Sequence, residues 1–394
     1  DGKPMIIGVS EDGLISAQNR ELYAMLKEDF FDFRESQWPD GKTTIENLET
    51  GFPWMSWQYP QKNFNGMMSV SLAQHPDAKM SNGPLTNNGR GFDYKKMRNY
   101  TSNSDKGTNY QGQWETVFEN NADSSKKYVD QVLVTGFNEW MAIKLNDGND
   151  SYFVDTFSEE YSRDIEPCVN GFGDNVYMQM IQNIRKWKYS DGVAYKNPSV
   201  TIDVSSFDTA QWRDVKTVYR DFEGDAIPRD WYSFDGSFSY VDDSARNDIV
   251  RTSVCRDATY LYFRVETKDE ITQRAENDTK WMNLMIKTGS DGSAGIFGYE
   301  YFINRNVDGN KTSVQKYDGK TYKDIGTGDV YVRGNVMQVR VKLSDLGLDA
   351  NDYHMEFKVT DNIKKVNDVL SYYSTGDSAP MGRMGYVFGF GGRK

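Results

Sequence analysis

Histidine and cysteine are nearly missing from this chain of 394 residues, which holds two of each: His75 and His354, Cys168 and Cys255. With so few, no histidine- or cysteine-based metal cluster is available. The two cysteines fall in different predicted domains, so two unpaired or buried thiols are expected rather than a bridge. Long apolar runs are lacking as well. None approaches the roughly 20 residues that a membrane-spanning helix needs, and no signal-peptide pattern opens the sequence. Positive charge is in deficit: 46 Lys and Arg stand against 58 Asp and Glu, a net charge of -12, with a pI near 4.9. That balance argues against nucleic acid and anionic membranes as partners. The Gly-rich stretches have no phosphate-loop spacing, which discounts nucleotide binding.

Aromatic residues are what the chain has in quantity: 14% of it, including 25 Tyr and 9 Trp, in a polar sequence of mean hydropathy -0.73. Rings of this kind stack on the C–H faces of sugars, and they are also ordinary core residues. The mix suits a secreted or cell-surface protein that handles carbohydrate.

Two patterns divide the chain. From 1 to 188, apolar runs alternate with helical periodicity. Strands are expected at Pro4–Val9, Phe30–Pro39, Met67–Ala73 and 131–137. Helices follow at about 16–26, with Leu22, Met25 and Leu26 on one face, at 110–122, and at 175–188, where Val176, Met180, Ile184 and Trp187 share a side. A long Gly/Asn-rich loop is expected over about 80–109. Each strand ends in polar side chains, the parallel arrangement of a (β/α) barrel. A barrel needs eight strands and only four are found. The expectation is therefore its C-terminal strand–helix units, completed by a separate N-terminal fragment. Residues 189–205 read as a linker. From 206 to 394, short alternating strands between Gly/Asp/Asn turns predict an antiparallel β-sandwich.

The segment Val132-Leu133-Val134-Thr135-Gly136-Phe137-Asn138-Glu139-Trp140 carries the most chemistry. An apolar strand ends there in an amide, a carboxylate and an indole. Thr135-Gly136-Phe137-Asn138-Glu139-Trp140, followed by Asp164-Ile165-Glu166-Pro167, resembles the Asn-Glu-Trp … Ile-Glu-Pro signature of the family 71/family 99-like glycoside hydrolase barrels, which include endo-α-mannosidases. The resemblance implies a (β/α)8 fold, action on α-linked glycans, and Glu139 as a catalytic carboxylate. Those enzymes carry a second glutamate three positions on, where this chain has Ala142. Residues 206–394 resemble the family 9-like carbohydrate-binding modules, on Phe222-Glu223-Gly224-Asp225, Asn247-Asp248-Ile249 and Tyr260–Glu266. That likeness implies sugar held between rings and allows calcium in the sandwich, although no dedicated metal loop stands in the sequence. No other cofactor is expected.

Glycoside hydrolysis takes two carboxyl groups, about 5 Å apart for retention or about 6.5–9.5 Å for inversion. Glu35, at the end of the second strand, is the candidate partner of Glu139, with an ion pair to Arg34 as the competing reading. Asp155 and Glu166 follow as substrate contacts. Asn138 and Trp140 flank Glu139, and His75 is placed either on a substrate hydroxyl or in a structural role. Trp38, Trp54, Trp57 and Tyr59 crowd one loop region as candidate cleft walls. Arg90 and Asp93 could reach over the site from the long loop. In the sandwich, Trp231 and Tyr232 are the candidate sugar platform, while Trp281 reads as core. The favoured function is a glycoside hydrolase acting through Glu139 and a second carboxylate; the alternative is a non-catalytic glycan-binding or surface-assembly protein whose hydrolase site has decayed. A second carboxylate about 5 to 9.5 Å from Glu139 across an open cleft is the expected mark of the first, and a Glu139 that is isolated or buried against an arginine that of the second.

Overall fold

A computed structural model describes residues 2–8, 19–37, 51–75, 88–140, 144–146, 148, 151–153, 158–168, 171–189, 193–195, 197–289 and 294–393. Its internal contacts divide the chain into two compact units, Asp1–Lys188 and Tyr189–Lys394.

The first unit contains, in chain order, β1 (Met5–Gly8), α1 (Arg20–Met25), β2 (Asp32–Gln37), β3 (Gly51–Pro53), β4 (Met67–Ser71), β5 (Phe92–Asp93), β6 (Arg98–Asn99), α2 (Thr108–Ala122), β7 (Gln131–Thr135), β8 (Lys144–Asn146), β9 (Ser151–Phe153) and α3 (Asn175–Lys188). β1, β2 and β3 form a parallel sheet in that order, and β4 pairs parallel with β7. The four expected strands thus have counterparts in β1, β2, β4 and β7. The expected barrel does not: among the described residues the parallel strands fall into separate sheets of three and two. The break follows β3, which is three residues long and ends on Pro53, a residue with no N–H to extend a ladder. Of the loop expected over 80–109, the part from residue 88 is described, and there β5 and β6 pair as a hairpin ahead of α2.

The core of this unit lies between α2 and β4. Tyr110, Trp114 and Val117, at spacings of four and three, are wholly buried on one side of α2. They cluster with Met68, Val70 and Leu72 and with Val176 of α3. Each such side chain contributes at most about 1.5–3 kcal/mol by leaving water. Helix α1 behaves otherwise. None of its residues is buried, and of the apolar face expected there Leu22 and Met25 stand about half exposed, with Leu26 just beyond its end partly covered. Outer strand β1 likewise exposes Met5 and Ile6.

The second unit is nearly all strand: β10 (Val193–Tyr195), β11 (Val218–Arg220), β12 (Arg229–Tyr232), β13 (Ser239–Asp242), β14 (Ile249–Arg256), β15 (Tyr260–Thr267), β16 (Asn283–Lys287), β17 (Tyr301–Asp308), β18 (Lys311–Tyr317), β19 (Tyr322–Arg333), β20 (Val336–Lys342), β21 (Tyr353–Asp361), the one-turn α4 (Ser371–Ser374), β22 (Asp377–Ala379) and β23 (Tyr386–Arg393). Eleven of them run side by side as β10-β23-β21-β16-β17-β18-β19-β20-β15-β14-β11, with β22 added on β21. The sheet curls. Residues from its two halves, such as Leu261, Phe263 and Val339 from β15 and β20 and Leu284, Phe357 and Phe388 from β16, β21 and β23, meet in one core. Alternation explains this face: Leu261, Phe263 and Val265 enter that core while Tyr262 between them packs on Ile202, Val204 and Trp212. Those last contacts revise the expected linker. Within 189–205, Val193–Tyr195 pairs with β23, and Ile202 and Val204 are buried. Neither Cys168 nor Cys255 forms a disulfide.

Candidate functional site

Gly136 ends β7 at φ +73, a backbone conformation that costs an L side chain about 1–2 kcal/mol. A Cβ there would lie 2.8 Å from Cβ of Arg163 and 2.9 Å from its carbonyl oxygen. Glycine therefore lets the segment 163–166 lie against the end of the strand, where Ile165 N–H donates to Gly136 O and Glu166 N–H to Phe137 O. The two halves of the quoted signature are brought together by these bonds.

Their side chains are engaged with protein groups. Arg163, 4% exposed, donates from Nη2 to Glu139 Oε2 at 3.1 Å, while the Glu139 carboxylate is 49% exposed. Glu139 N–H donates to Oδ1 of the fully buried Asp164 at 2.5 Å, and Ser162 Oγ–H donates to its Oδ2 at 2.9 Å. Trp140 Nε1–H donates to Glu166 Oε2 at 2.7 Å. Arg90 is not a reach-over residue: it is wholly buried, donates to Ser162 O and Asp164 O, and lies on the Phe172 ring. Asp93 accepts the N–H groups of Lys95 and Lys96 in its own turn.

His75 is 2% exposed, with Nε2 2.5 Å from Tyr161 O and its ring stacked on Trp57 at 5.9 Å. Burial, then the nearby Arg163 guanidinium, pushes its pKa down to about 3, so the ring is neutral at ordinary pH. Tyr59 stacks on Tyr94 with centroids 3.4 Å apart. Arg163 thus links two of the predicted residues, facing Glu139 directly and His75 electrostatically. Asn138 is exposed beside it. Glu35 lies in β2, in register with Gly8 and Gly51. The Glu35 side chain, Trp38, Ala142 and Asp155 lie outside the described residues.

In the second unit, Trp281 is core as expected, 4% exposed with Nε1–H on Thr272 O. Trp231 and Tyr232 are 61% and 69% exposed, on the two-stranded hairpin β12–β13. Adjacent residues of a strand point to opposite faces, so they do not form one platform. Trp231 instead lies opposite Tyr240 in register, and Tyr240 meets Phe238 edge-on at 5.5 Å. The hairpin is tied down through Arg229, which donates to Asp225 O and Gly376 O at 3.3 Å each.

Those two carbonyls border a cluster that sequence reasoning missed. One carboxylate oxygen each from Asp221, Asp225 and Asp377 lies within 4.8 Å of the other two. Asp377 accepts from Ile249 N–H and Ser378 N–H at 2.6 Å each, while buried Asp221 Oδ2, Asp225 Oδ1 and Asp248 Oδ1 have no hydrogen-bond partner among the described residues. Burial, then neighbouring carboxylates, pushes Asp221 up to about 7. Asp377 rises to about 8, chiefly through burial. Wholly buried Lys358, whose Nζ donates to Ser378 Oγ at 2.5 Å, feels Asp221 and Asp377, and burial lowers its pKa. Oxygen-only ligands at this spacing fit a hard cation such as calcium. The signal was present in Asp221-Phe222-Glu223-Gly224-Asp225, but Asp377 is too distant in sequence to be paired with it by reading.

No family model matches the chain, and no curated protein matches it. Among solved structures it is similar to a family 9 carbohydrate-binding module from Caldicellulosiruptor kristjanssonii in complex with glucose. Identity is 13%, over 44% of this chain and 80% of that one, with a TM-score of 0.25. A complex of a family 9 module from the same organism with cellotriose gives 14% identity, coverage of 44% and 77%, and a TM-score of 0.22. The glycoside hydrolase likeness read around Glu139 finds no counterpart in these comparisons.

Proposed function

We propose that this is a secreted or cell-surface glycan-binding protein without hydrolase activity. The observation that carries the binding half is the hairpin β12–β13, which holds Trp231 and Tyr232 more than half exposed on a two-stranded support. Exposed rings offer C–H stacking surfaces at low ordering cost, since each has only two side-chain torsions. The non-catalytic half is supported by Glu139, whose carboxylate is paired with a buried arginine. Asp164 and Glu166, the carboxylates nearest it in the signature, hold a backbone N–H and an indole rather than facing a bond to be cut.

The same proposal assigns calcium to Asp221, Asp225 and Asp377. The unpartnered oxygens of Asp221 and Asp225 support this, as do carboxyl groups that raise one another's pKa. A bound divalent cation would offset that repulsion and hold the loops under the hairpin.

Binding to a panel of immobilised α- and β-linked glycans, with hydrolysis of the same panel followed by product release, tests the reading. Retained glycan without product is the expected result. Turnover abolished by Glu139→Gln would replace it with the hydrolase reading.

A further inference from the structure

A cavity of about 490 Å³ opens on β17, β18 and β19, and it shares no residue with the hairpin, the carboxylate cluster or the Glu139 region. Two register breaks shape it. One lies in β17 between Ile303 and Val307, where Asn304 sits at φ +69, and the other lies in β19, where Ile325 is the extra residue opposite Val314 and Gln315. Adjacent bulges bend and twist a sheet locally, and they recur where a binding surface is built. Gly326 lines the cavity without a side chain.

Its walls are fixed before any ligand arrives. Arg274 donates from Nε to Asp278 O at 2.9 Å and from its two terminal nitrogens to Val307 O and Arg305 O at 3.3 and 3.4 Å. Asp324 Oδ1 accepts from Gln315 Nε2 at 2.7 Å, and Ser313 Oγ accepts from Asn306 N–H at 3.1 Å. Lys311 is paired with Asp329 at 2.5 Å.

The lining selects a chemistry. No aromatic side chain is present and Val307 is the one large apolar residue, which disfavours a hydrophobic ligand. Carboxylates from Glu276, Asp308 and Asp324 face Arg274 and an already paired Lys311, so the local charge is negative and anions are repelled. These three carboxylates do not converge on a cation either: among the described residues only Asp221, Asp225 and Asp377 do so. Fixed donors and acceptors in alternation remain, and these suit a neutral ligand carrying both on adjacent atoms. A vicinal diol is such a ligand, donating its hydroxyl protons to carboxylates and accepting from amide and guanidinium N–H groups. A cavity of this size is within the range of small-ligand sites.

We propose that this groove is a second saccharide subsite, taking a neutral polyhydroxylated sugar residue by hydrogen bonds alone. It rests on the glycan-binding reading above and adds to it a site independent of the hairpin rings. The test is titration of the full chain with neutral gluco-, manno-, xylo- and galacto-oligosaccharides and with matching uronate oligomers, recording affinity and stoichiometry. Variants Glu276→Gln, Asp324→Asn and Thr327→Trp address the groove, Trp231→Ala/Tyr232→Ala the hairpin, and thermal unfolding checks that each variant is folded. Each lost charged hydrogen bond is expected to weaken the groove about ten-fold. Thr327→Trp is expected to remove one of two bound sugars, leaving the other to the hairpin. Unchanged affinity and stoichiometry in all three folded groove variants would overturn the subsite and leave the hairpin reading standing. Preference for uronates over neutral sugars at the groove would overturn it as well. A wild-type chain that binds no sugar would remove both.

Discussion

Arg163 Nη2 lies 3.1 Å from Glu139 Oε2, with the guanidinium buried and the carboxylate half in water. A carboxylate held this way is committed to an arginine of the protein, whereas a glycosidase needs one carboxyl facing the glycosidic oxygen with a proton to give. The pair therefore reads as a clamp that joins the end of β7 to the segment 163–166. Glu139→Gln keeps the shape and one acceptor. It is expected to leave glycan retention unchanged and to cost below about 1 kcal/mol of stability, because half the pair is solvated. Titration and chemical denaturation check this, and loss of a measurable hydrolytic rate would refute it.

His75 predicts a pH response in the first unit. The folded pKa, near 3, is below the ordinary value of about 6.5, so the unfolded chain binds a proton that the folded one refuses. Stability is full above about 6.5 and falls as pH drops toward 3, by up to about 1.4 kcal/mol per pH unit. His75→Gln is expected to flatten that acid limb. Denaturation curves at pH 7, 6, 5 and 4 decide, and an unchanged slope in the variant would place the acid sensitivity elsewhere.

The parallel elements around β4 and β7 were legible because buried strands are written as apolar runs, and Trp114 and Val176 announced their helices by spacing. The barrel was an extension of that local pattern to a global count. Local sequence does not record whether strands join one sheet, and the short β3 with Pro53 carried too little signal to reveal the break. Likewise Trp231 and Tyr232 could be named as exposed from their turn-rich setting. Their opposite directions follow only once β12 is known to be a strand. Arg163 was in plain view, but its partner depends on Gly136, whose role is visible only in the backbone. Asp377 meets Asp221 through β22 packing, a relation of two segments more than 150 residues apart that no motif encodes.

The hairpin gives the most direct test of binding. Trp231 and Tyr232 are solvent-facing, so replacing either by alanine is expected to change stability by less than about 0.5 kcal/mol. If a sugar stacks on Trp231, the Trp231→Ala loss is about 2 kcal/mol or more of binding, roughly thirty-fold in Kd. Since the two rings face opposite ways, the two single variants are expected to be unequal, with only one of them touching a given sugar. Equal and small effects for both would remove the hairpin from the reading.

The calcium proposed for the carboxylate cluster would couple fold to hairpin. Asp221 and Asp377 titrate near 7 and 8 in the folded chain, above the ordinary carboxyl value of about 4, so the folded state holds protons that the unfolded state has released. Stability is then present at low pH and lost as pH climbs from about 4 through those values. Lys358 acts in reverse: its folded pKa is lowered to about 7, so its contribution grows as pH rises toward its unfolded value. Without divalent cation the second unit is expected to be least stable near pH 7 to 8. Calcium replaces the missing protons, so its addition at pH 7.5 is expected to raise Tm and chelator to lower it, while Asp377→Asn abolishes the difference. Because Arg229 ties the hairpin to the carbonyls of Asp225 and Gly376, chelation is also expected to weaken sugar binding at Trp231 while leaving the β17–β19 groove unaffected. A Tm indifferent to calcium and chelator between pH 7 and 8 would leave the cluster as a proton-holding site, with Lys358 and Arg229 as nearby counter-charges.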